Sequence, residues 1–126
     1  MKIKIWTNAT GEIKAELSEA INPQTAEAIY KALPIKAQVA TWGEEIYFPI
    51  MIKGEMENPQ QVVDKGDIGY WPSGDALCIF FGPTPASVGN EIRPASSVNV
   101  VGRILGGIEA LKKVKDNDEI VIDKVV

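Results

Sequence analysis

The sequence of 126 residues contains no histidine and a single cysteine, Cys78. Without histidine the chain lacks the commonest general base and metal ligand, and it forms neither a Ser-His nor a Cys-His catalytic pair. One cysteine excludes an intrachain disulfide and disfavours a zinc site of nitrogen and sulfur ligands. Because Cys78 lies in an apolar run, residues 76–81, we interpret it as a small core side chain and not as a nucleophile. We expect no metal ion and no cofactor.

Basic clusters and long apolar runs are also missing. The net charge is −4, whereas a nucleic-acid-binding protein carries a basic patch. Lys112, Lys113 and Lys115 come closest to one, but they fit the solvated last turn of a short helix. No apolar stretch is long enough to cross a membrane, and the alternating residues 1–6 are not typical of a signal peptide. We predict no nucleic-acid partner, no membrane partner and a cytoplasmic location.

Alternation of apolar and polar residues dominates the chain and is typical of strands with one buried face. Residues 2–6 place Ile3 and Ile5 on one face, and residues 12–17 repeat the pattern after a turn. Eight strands are predicted in total, near residues 2–6, 12–17, 35–41, 46–52, 66–71, 76–82, 98–104 and 119–125. The polar stretch 54–65 and the stretch 83–97, rich in Gly, Pro and Ser, are predicted loops.

Two short helices are predicted between the strands. Asn22 is a suitable N-cap and Pro23 suits the first helical position, after which apolar residues follow at helical spacing until Pro34 stops the helix. A second helix is predicted near residues 107–114. Eight strands and two helices in a single domain, residues 1–126, favour a mostly-β fold. We expect a closed or nearly closed barrel, because closure hides strand edges and buries one face.

The last third of the chain resembles cyclophilins. The segment VNVVGRI at 98–104 leads into LGGIEAL at 105–111 and then into EIVID at 119–123, and cyclophilins end with the same order of strand, helix and strand. The segments GDIGYWP at 66–72 and ALCIFFGP at 76–83 are similar to a narrower group, the compact prokaryotic cyclophilin-like proteins, which are mostly of unassigned function. The resemblance implies an eight-stranded cyclophilin-like barrel over nearly the whole chain.

Cyclophilins are peptidyl-prolyl isomerases, so the resemblance raises isomerase activity as a hypothesis. Their catalytic strand carries an arginine, then a Phe-Met pair, a glutamine and a glycine. The best placement on this sequence puts Glu45 at the arginine, Ile50 and Met51 at the pair, Lys53 at the glutamine and Gly54 at the glycine.

The change of charge at Glu45 argues against efficient isomerase activity. In cyclophilins the guanidinium donates hydrogen bonds that weaken the amide resonance of the prolyl bond. An ionised carboxylate only accepts hydrogen bonds. Arg93 and Arg103 are the only arginines of the chain, and one of them would have to act from another direction. No catalytic residue is therefore assigned.

Seven of the nine aromatic residues lie in two short segments, 42–48 and 70–81. Filling of the core by most of these rings is one interpretation, since alternation places Phe80 on one face of its strand and Phe81 on the other. The other is a groove for a ligand, because tyrosine and tryptophan offer apolar area with a polar group at cleft edges. The groove is predicted to be lined by Glu45, Tyr47, Met51, Trp71, Phe81 and Arg93.

Three functions stay open on these grounds. The first is binding of a small molecule or a proline-containing peptide in the aromatic groove, without efficient isomerase activity. The second is a divergent or weak peptidyl-prolyl isomerase. The third is an accessory subunit of a metabolic enzyme complex, which the resemblance suggests because related barrels occur fused or paired with metabolic enzymes.

Overall fold

The alternating segments form nine strands in the computed structural model, which describes every residue from Met1 to Val126. The strands are β1 (Lys2–Thr7), β2 (Gly11–Leu17), β3 (Ile35–Gln38), β4 (Ala40–Thr41), β5 (Glu45–Pro49), β6 (Asp67–Trp71), β7 (Ala76–Phe80), β8 (Asn99–Ile104) and β9 (Glu119–Lys124). Helix α1 spans Pro23–Ala32, and two 3-10 helices span Pro72–Gly74 and Ile108–Lys113. The prediction of a mostly-β fold is confirmed, with nine strands in place of eight.

The ninth strand arises because the predicted strand 35–41 divides at Val39. The order across the sheet is β3-β9-β1-β2-β8-β6-β7-β5-β4, and β3 pairs with β9 while β4 pairs with β5. Between the two, the backbone N–H of Val39 donates to the carbonyl oxygen of Asp118 at 2.9 Å. Both edges of the sheet thus belong to one continuous segment, which nearly closes the barrel.

The barrel interior holds the main hydrophobic core, a cluster of 22 buried residues. Ile3, Ile5 and Ile13 enter it from β1 and β2, as the alternation predicts, and α1 adds Ala26 and Ile29. Full burial of each of these isoleucine side chains contributes about 1.5–3 kcal/mol. No helix of the chain is long and apolar enough to span a membrane.

Helix α1 begins at Pro23 as predicted, but the side chain of Asn22 does not cap it. Asn22 is completely buried. Its Nδ2 donates to the carbonyl oxygen of Val100 at 2.8 Å, and its Oδ1 accepts a hydrogen bond from the backbone N–H of Asn58 at 2.7 Å. Asn22 therefore fastens the start of the helix to β8 and to the loop that carries Asn58.

The carboxylate of Glu57, from the loop between β5 and β6, caps α1 instead. It accepts hydrogen bonds from the backbone N–H groups of Gln24 and Thr25 and from the Thr25 hydroxyl, at 3.0–3.2 Å. Buried Asn99 joins the same network, donating to Thr25 Oγ1 and to the carbonyl oxygen of Glu55 while its Oδ1 accepts from the backbone N–H of Glu57. A negative charge also stabilises the positive end of the helix dipole.

A second, smaller apolar cluster lies on the opposite face of the sheet, outside the barrel. Its six buried members are Val63, Cys78, Phe80, Ile92, Val98 and Val100. Single β-bridges join Val63 to Ile92 and Gln60 to Val98. The loop segments 60–63 and 92–98 are thus held together by these bridges. Their side chains Val63, Ile92 and Val98 cover this outer face.

Candidate functional site

A cavity of about 260 Å³ lies on the outer face of the barrel, beside the second cluster. Its eight lining residues are Trp42, Glu45, Tyr47, Trp71, Cys78, Pro94, Ala95 and Val98. Three surface grooves are larger, at about 270, 310 and 480 Å³, and charged side chains line much of the two largest. None of the three contains a buried side-chain polar atom without a partner. The cavity at β5 combines apolar walls with such an atom and is therefore the candidate site.

Strand pairing places the functional side chains of the cavity on one face. Tyr47 of β5 lies opposite Cys78 of β7, and Glu45 precedes Tyr47 by two residues. Because alternate residues of a strand share a face, all three point out of the barrel. Gly69 of β6 also lies opposite Cys78, and a Cβ atom there would come within 2.9 Å of Val98 Cγ2. Glycine at this position lets the loop segment 94–98 lie close to the sheet.

Trp42, Tyr47 and Trp71 form the aromatic part of the cavity wall. The rings of Tyr47 and Trp71 meet edge to face, with centroids 6.4 Å apart and an interplanar angle of 85°, which is a favoured geometry for aromatic pairs. The indole Nε1 of Trp71 donates a hydrogen bond to Ser96 Oγ. Since an indole has only this one donor, Trp71 offers ring carbons to a ligand.

Glu45 is the polar group of the cavity. It is 5% exposed, its Oε1 has no hydrogen-bond partner, and no lysine or arginine pairs with it. Burial raises the pKa of Glu45 to about 7, and hydrogen bonding from the neighbouring Cys78 thiol lowers it by a smaller amount. The thiol is a weak donor and makes no bond to Oε1. Near neutral pH the carboxyl group therefore exists in both its protonated and its ionised form.

Cys78 does not supply a nucleophile to this cavity. Burial raises its pKa well above the ordinary value, and the adjacent Glu45 carboxylate raises it further. The thiolate is the reactive form of cysteine, and such a thiol stays protonated at neutral pH. Cys78 packs in the second cluster, in agreement with its interpretation as a small core residue.

The structure brings Glu45, Tyr47 and Trp71 together from the six predicted groove residues. Met51 lies elsewhere, fully exposed and beside a different groove. The predicted strand 46–52 ends at Pro49, so the alternation that would have aligned Met51 with Tyr47 does not reach residue 51.

Phe81 and Arg93 also lie outside the cavity. Phe81 is buried in the barrel interior, because it shares the inward face of Leu77 and Ile79. The guanidinium of Arg93 pairs with the Glu91 carboxylate within the long loop. It borders a neighbouring groove and does not line the cavity.

Five lining residues were not predicted: Trp42, Cys78, Pro94, Ala95 and Val98. Cys78 could have been predicted to face outward, because it lies two residues before Phe80 and alternate residues of a strand share a face. No three Asp, Glu or Cys side chains come together as a group of metal ligands anywhere in the chain.

The Cyclophilin-like family model matches residues 1–123. The chain belongs to the Cyclophilin-like family. It is also similar to the solution structure of the hypothetical protein AF2241 from Archaeoglobus fulgidus, with 44% sequence identity and a TM-score of 0.84 over 99% of this chain and 95% of that chain. No curated protein matches the sequence.

These matches confirm the predicted resemblance for the family and its fold. Family membership does not identify a ligand, because unrelated functions share one fold. The site of this Cyclophilin-like protein has to be interpreted from its own side chains.

Proposed function

We propose that this Cyclophilin-like protein binds a small molecule in the outer-face cavity, and that Glu45 holds the polar end of that ligand. The observation that carries the proposal is the buried Oε1 of Glu45, which has no partner in the protein. Buried polar atoms are nearly always hydrogen-bonded, and leaving one unsatisfied costs about 1–3 kcal/mol. A ligand that supplies the missing hydrogen bond would recover this free energy.

The walls of the cavity support the same function. Six of its eight lining residues are hydrophobic, as in most small-molecule sites, where a few polar groups orient a ligand between apolar walls. Pockets for drug-sized ligands measure roughly 300–1,000 Å³, so the volume of about 260 Å³ favours a compact ligand. A proline-containing peptide is the alternative ligand, and it would enter by a single ring or side chain.

We do not propose isomerase activity, because the cavity has no guanidinium to donate to a prolyl amide. Arg103 pairs with Glu16 on β2, and Arg93 pairs with Glu91. We expect cis-trans isomerisation of the prolyl bond in the peptide Ala-Ala-Pro-Phe to be no faster with the protein than without it, where it takes about tens to hundreds of seconds at 25 °C. Exchange NMR of this peptide with and without protein measures it, and clear acceleration would favour the isomerase hypothesis.

Tryptophan NMR tests the binding proposal, because the three indoles report on different places. Trp42 and Trp71 line the cavity, whereas Trp6 lies on β1 and is 41% exposed. We expect cyclohexanol, N-methylacetamide, choline or Ala-Ala-Pro-Phe to shift the indole signals of Trp42 and Trp71 in ¹⁵N-labelled protein. The Trp6 signal serves as an internal control and should stay in place.

A pair of variants completes this test. Tyr47→Leu removes a cavity wall, and Trp6→Leu removes a ring of similar character on another strand. The proposal requires that Tyr47→Leu weakens binding of whichever probe shifts the indoles and that Trp6→Leu does not. Failure of all four probes to shift Trp42 and Trp71, or equal shifts at Trp6, would contradict it.

A further inference from the structure

The unpartnered carboxyl of Glu45 restricts which ligand the cavity can accept. Oε1 of Glu45 is the one buried side-chain nitrogen or oxygen of the chain that lacks a hydrogen-bond partner. No cationic side chain lines the cavity. An ionised carboxylate in such a place is costly unless a positive charge accompanies it. The protein supplies no such charge, so a ligand is the remaining source.

The aromatic walls favour a positive charge as well. The faces of tryptophan and tyrosine rings attract cations through their quadrupoles, most strongly where water is excluded. Three such residues, Trp42, Tyr47 and Trp71, line the cavity together with Glu45. The N–H of Trp71 is already bonded to Ser96, which leaves its ring carbons for contact. The net charge of −4 also favours approach of a cation over that of an anion.

We propose that the ligand carries a compact alkylammonium group, held between the carboxylate of Glu45 and the rings of Trp42, Tyr47 and Trp71. This inference rests on the proposed binding function and names its ligand class. The volume of about 260 Å³ suits a free small molecule that bears the group. The same group on a methylated lysine of a partner protein is the other source of this chemistry.

A neutral ligand is the competing class, and its affinity should change with pH in the opposite direction to that of a cation. A carbonyl ligand needs the protonated form of Glu45 as a donor, so its binding weakens as pH rises through the titration of Glu45. A cation needs the ionised form, so its binding strengthens over the same range.

Few other groups contribute to this pH dependence. Tyr47 on β5 and Cys78 on β7 are the other titratable residues that line the cavity, and β6 and the segment 94–98 add none. Glu44, next in sequence to Glu45, is oriented toward Lys112 at 3.8 Å. A change of binding between pH 5.5 and pH 8 therefore reports on Glu45.

The experiment compares choline with 3,3-dimethylbutan-1-ol, which has the same shape without the charge, by the shifts of the Trp42 and Trp71 indole signals. We expect choline to bind about tenfold more tightly than the alcohol at pH 8, from cation–π and charge attraction. We also expect choline to bind about tenfold more weakly at pH 5.5 than at pH 8, because Glu45 is then protonated. N-methylacetamide is the carbonyl probe, and a trimethyllysine tripeptide is the partner-protein probe.

Glu45→Gln removes the charge and keeps the size of the side chain, and Glu44→Gln is its matched control with the same change of net charge. We expect Glu45→Gln to abolish the preference for choline over the alcohol and Glu44→Gln to retain it. A preference that survives in Glu45→Gln would overturn the inference.

The probes separate failure of this inference from failure of the proposed function. If the alcohol or N-methylacetamide binds as tightly as choline, the ligand is neutral; the inference is then wrong while the binding function stands. If none of the probes shifts Trp42 and Trp71, both are wrong. If only the tripeptide binds, the alkylammonium group belongs to a partner protein, which overturns the assignment to a free small molecule.

Discussion

Two glutamates of this barrel, Glu57 and Glu45, differ in how fully their carboxyl groups are hydrogen-bonded. Glu57 accepts three hydrogen bonds at the start of α1, from Gln24 and Thr25. Burial alone would raise its pKa, but these hydrogen bonds outweigh burial and lower it. Glu45 has an oxygen with no partner, and burial raises its pKa to about 7.

The hydrogen bonds of Glu57 give it a structural role, whereas Oε1 of Glu45 has no partner within the protein. Around Glu57, no buried side-chain nitrogen or oxygen lacks a partner. Both buried asparagines, Asn22 and Asn99, bond to other elements. That network joins α1, β8 and the loop 55–58. Oε1 of Glu45 bonds to no other element, although the backbone of the residue is paired in the sheet through β5. A polar group that lowers stability and holds no element together is the observation on which we propose a ligand.

The largest effect on stability is expected from removing the hydrogen bonds of Asn99, in the fully bonded network around Glu57. Asn99→Ala removes the hydrogen bond that Thr25 Oγ1 accepts, and it leaves the Glu55 carbonyl and the Glu57 N–H without their side-chain partner. We expect a loss of about 3–4 kcal/mol in the free energy of unfolding, measured with urea.

The control for Asn99 is Asn90→Ala, an exposed loop position, where we expect a change within about 0.5 kcal/mol. A loss below about 1 kcal/mol in Asn99→Ala would mean that water replaces the side chain easily. The region around Glu57 would then not be the rigid counterpart of the cavity.

The next effect concerns Glu45 and has a defined pH dependence. The pKa of Glu45 is about 7 in the folded chain and 4.5 as the ordinary value, so its contribution is favourable below about pH 4.5 and is lost as pH rises through 7. Glu45→Gln should therefore match the parent protein at pH 4.5 and exceed it by about 3 kcal/mol at pH 8. Urea unfolding at both pH values measures this difference.

Glu44→Gln is again the matched control, because Glu44 is half-exposed and already close to Lys112. Its stability relative to the parent protein should change little between the two pH values. Parallel pH profiles for Glu45→Gln and the parent protein would show that Glu45 is not strained by burial.

The smallest effect on stability is expected at Glu57, where the pH dependence runs in the opposite direction to that of Glu45. A lowered pKa means that Glu57 stabilises the fold above its unfolded pKa and that this contribution is lost as pH falls through the folded value. Glu57→Gln should lower Tm by about 2–5 °C at pH 7. The difference should shrink in acid, where Glu57 itself is protonated. A Tm difference that grows in acid would contradict this role.

Most of the barrel could be predicted from local sequence patterns. Alternation in residues 2–6 and 12–17 was enough to place β1 and β2, and Pro23 and Pro34 bracketed α1, because these signals act within a few residues. The division of strand 35–41 at Val39 could not be predicted, since it depends on pairing with β9 and β5 at once.

The candidate site could be predicted only in part, for the same reason. Glu45, Tyr47 and Trp71 belong to short aromatic segments that alternation orients correctly. Pro94, Ala95 and Val98 come from a long loop whose position depends on two single bridges to residues 60–63. Glu57 was missed as the cap of α1 because it lies more than thirty residues along the chain from the two N–H groups it caps.

A pH titration of the Glu45 side-chain carboxyl by ¹³C NMR, first without ligand and then with saturating choline, tests the role of this residue most directly. We expect a midpoint near 7 in the free protein and a lower midpoint with choline, because a bound cation favours the ionised form. A free midpoint near the ordinary value of 4.5 would mean that the carboxyl is already satisfied. That result would contradict our proposal that the Glu45 carboxyl is left without a partner for a ligand to bind.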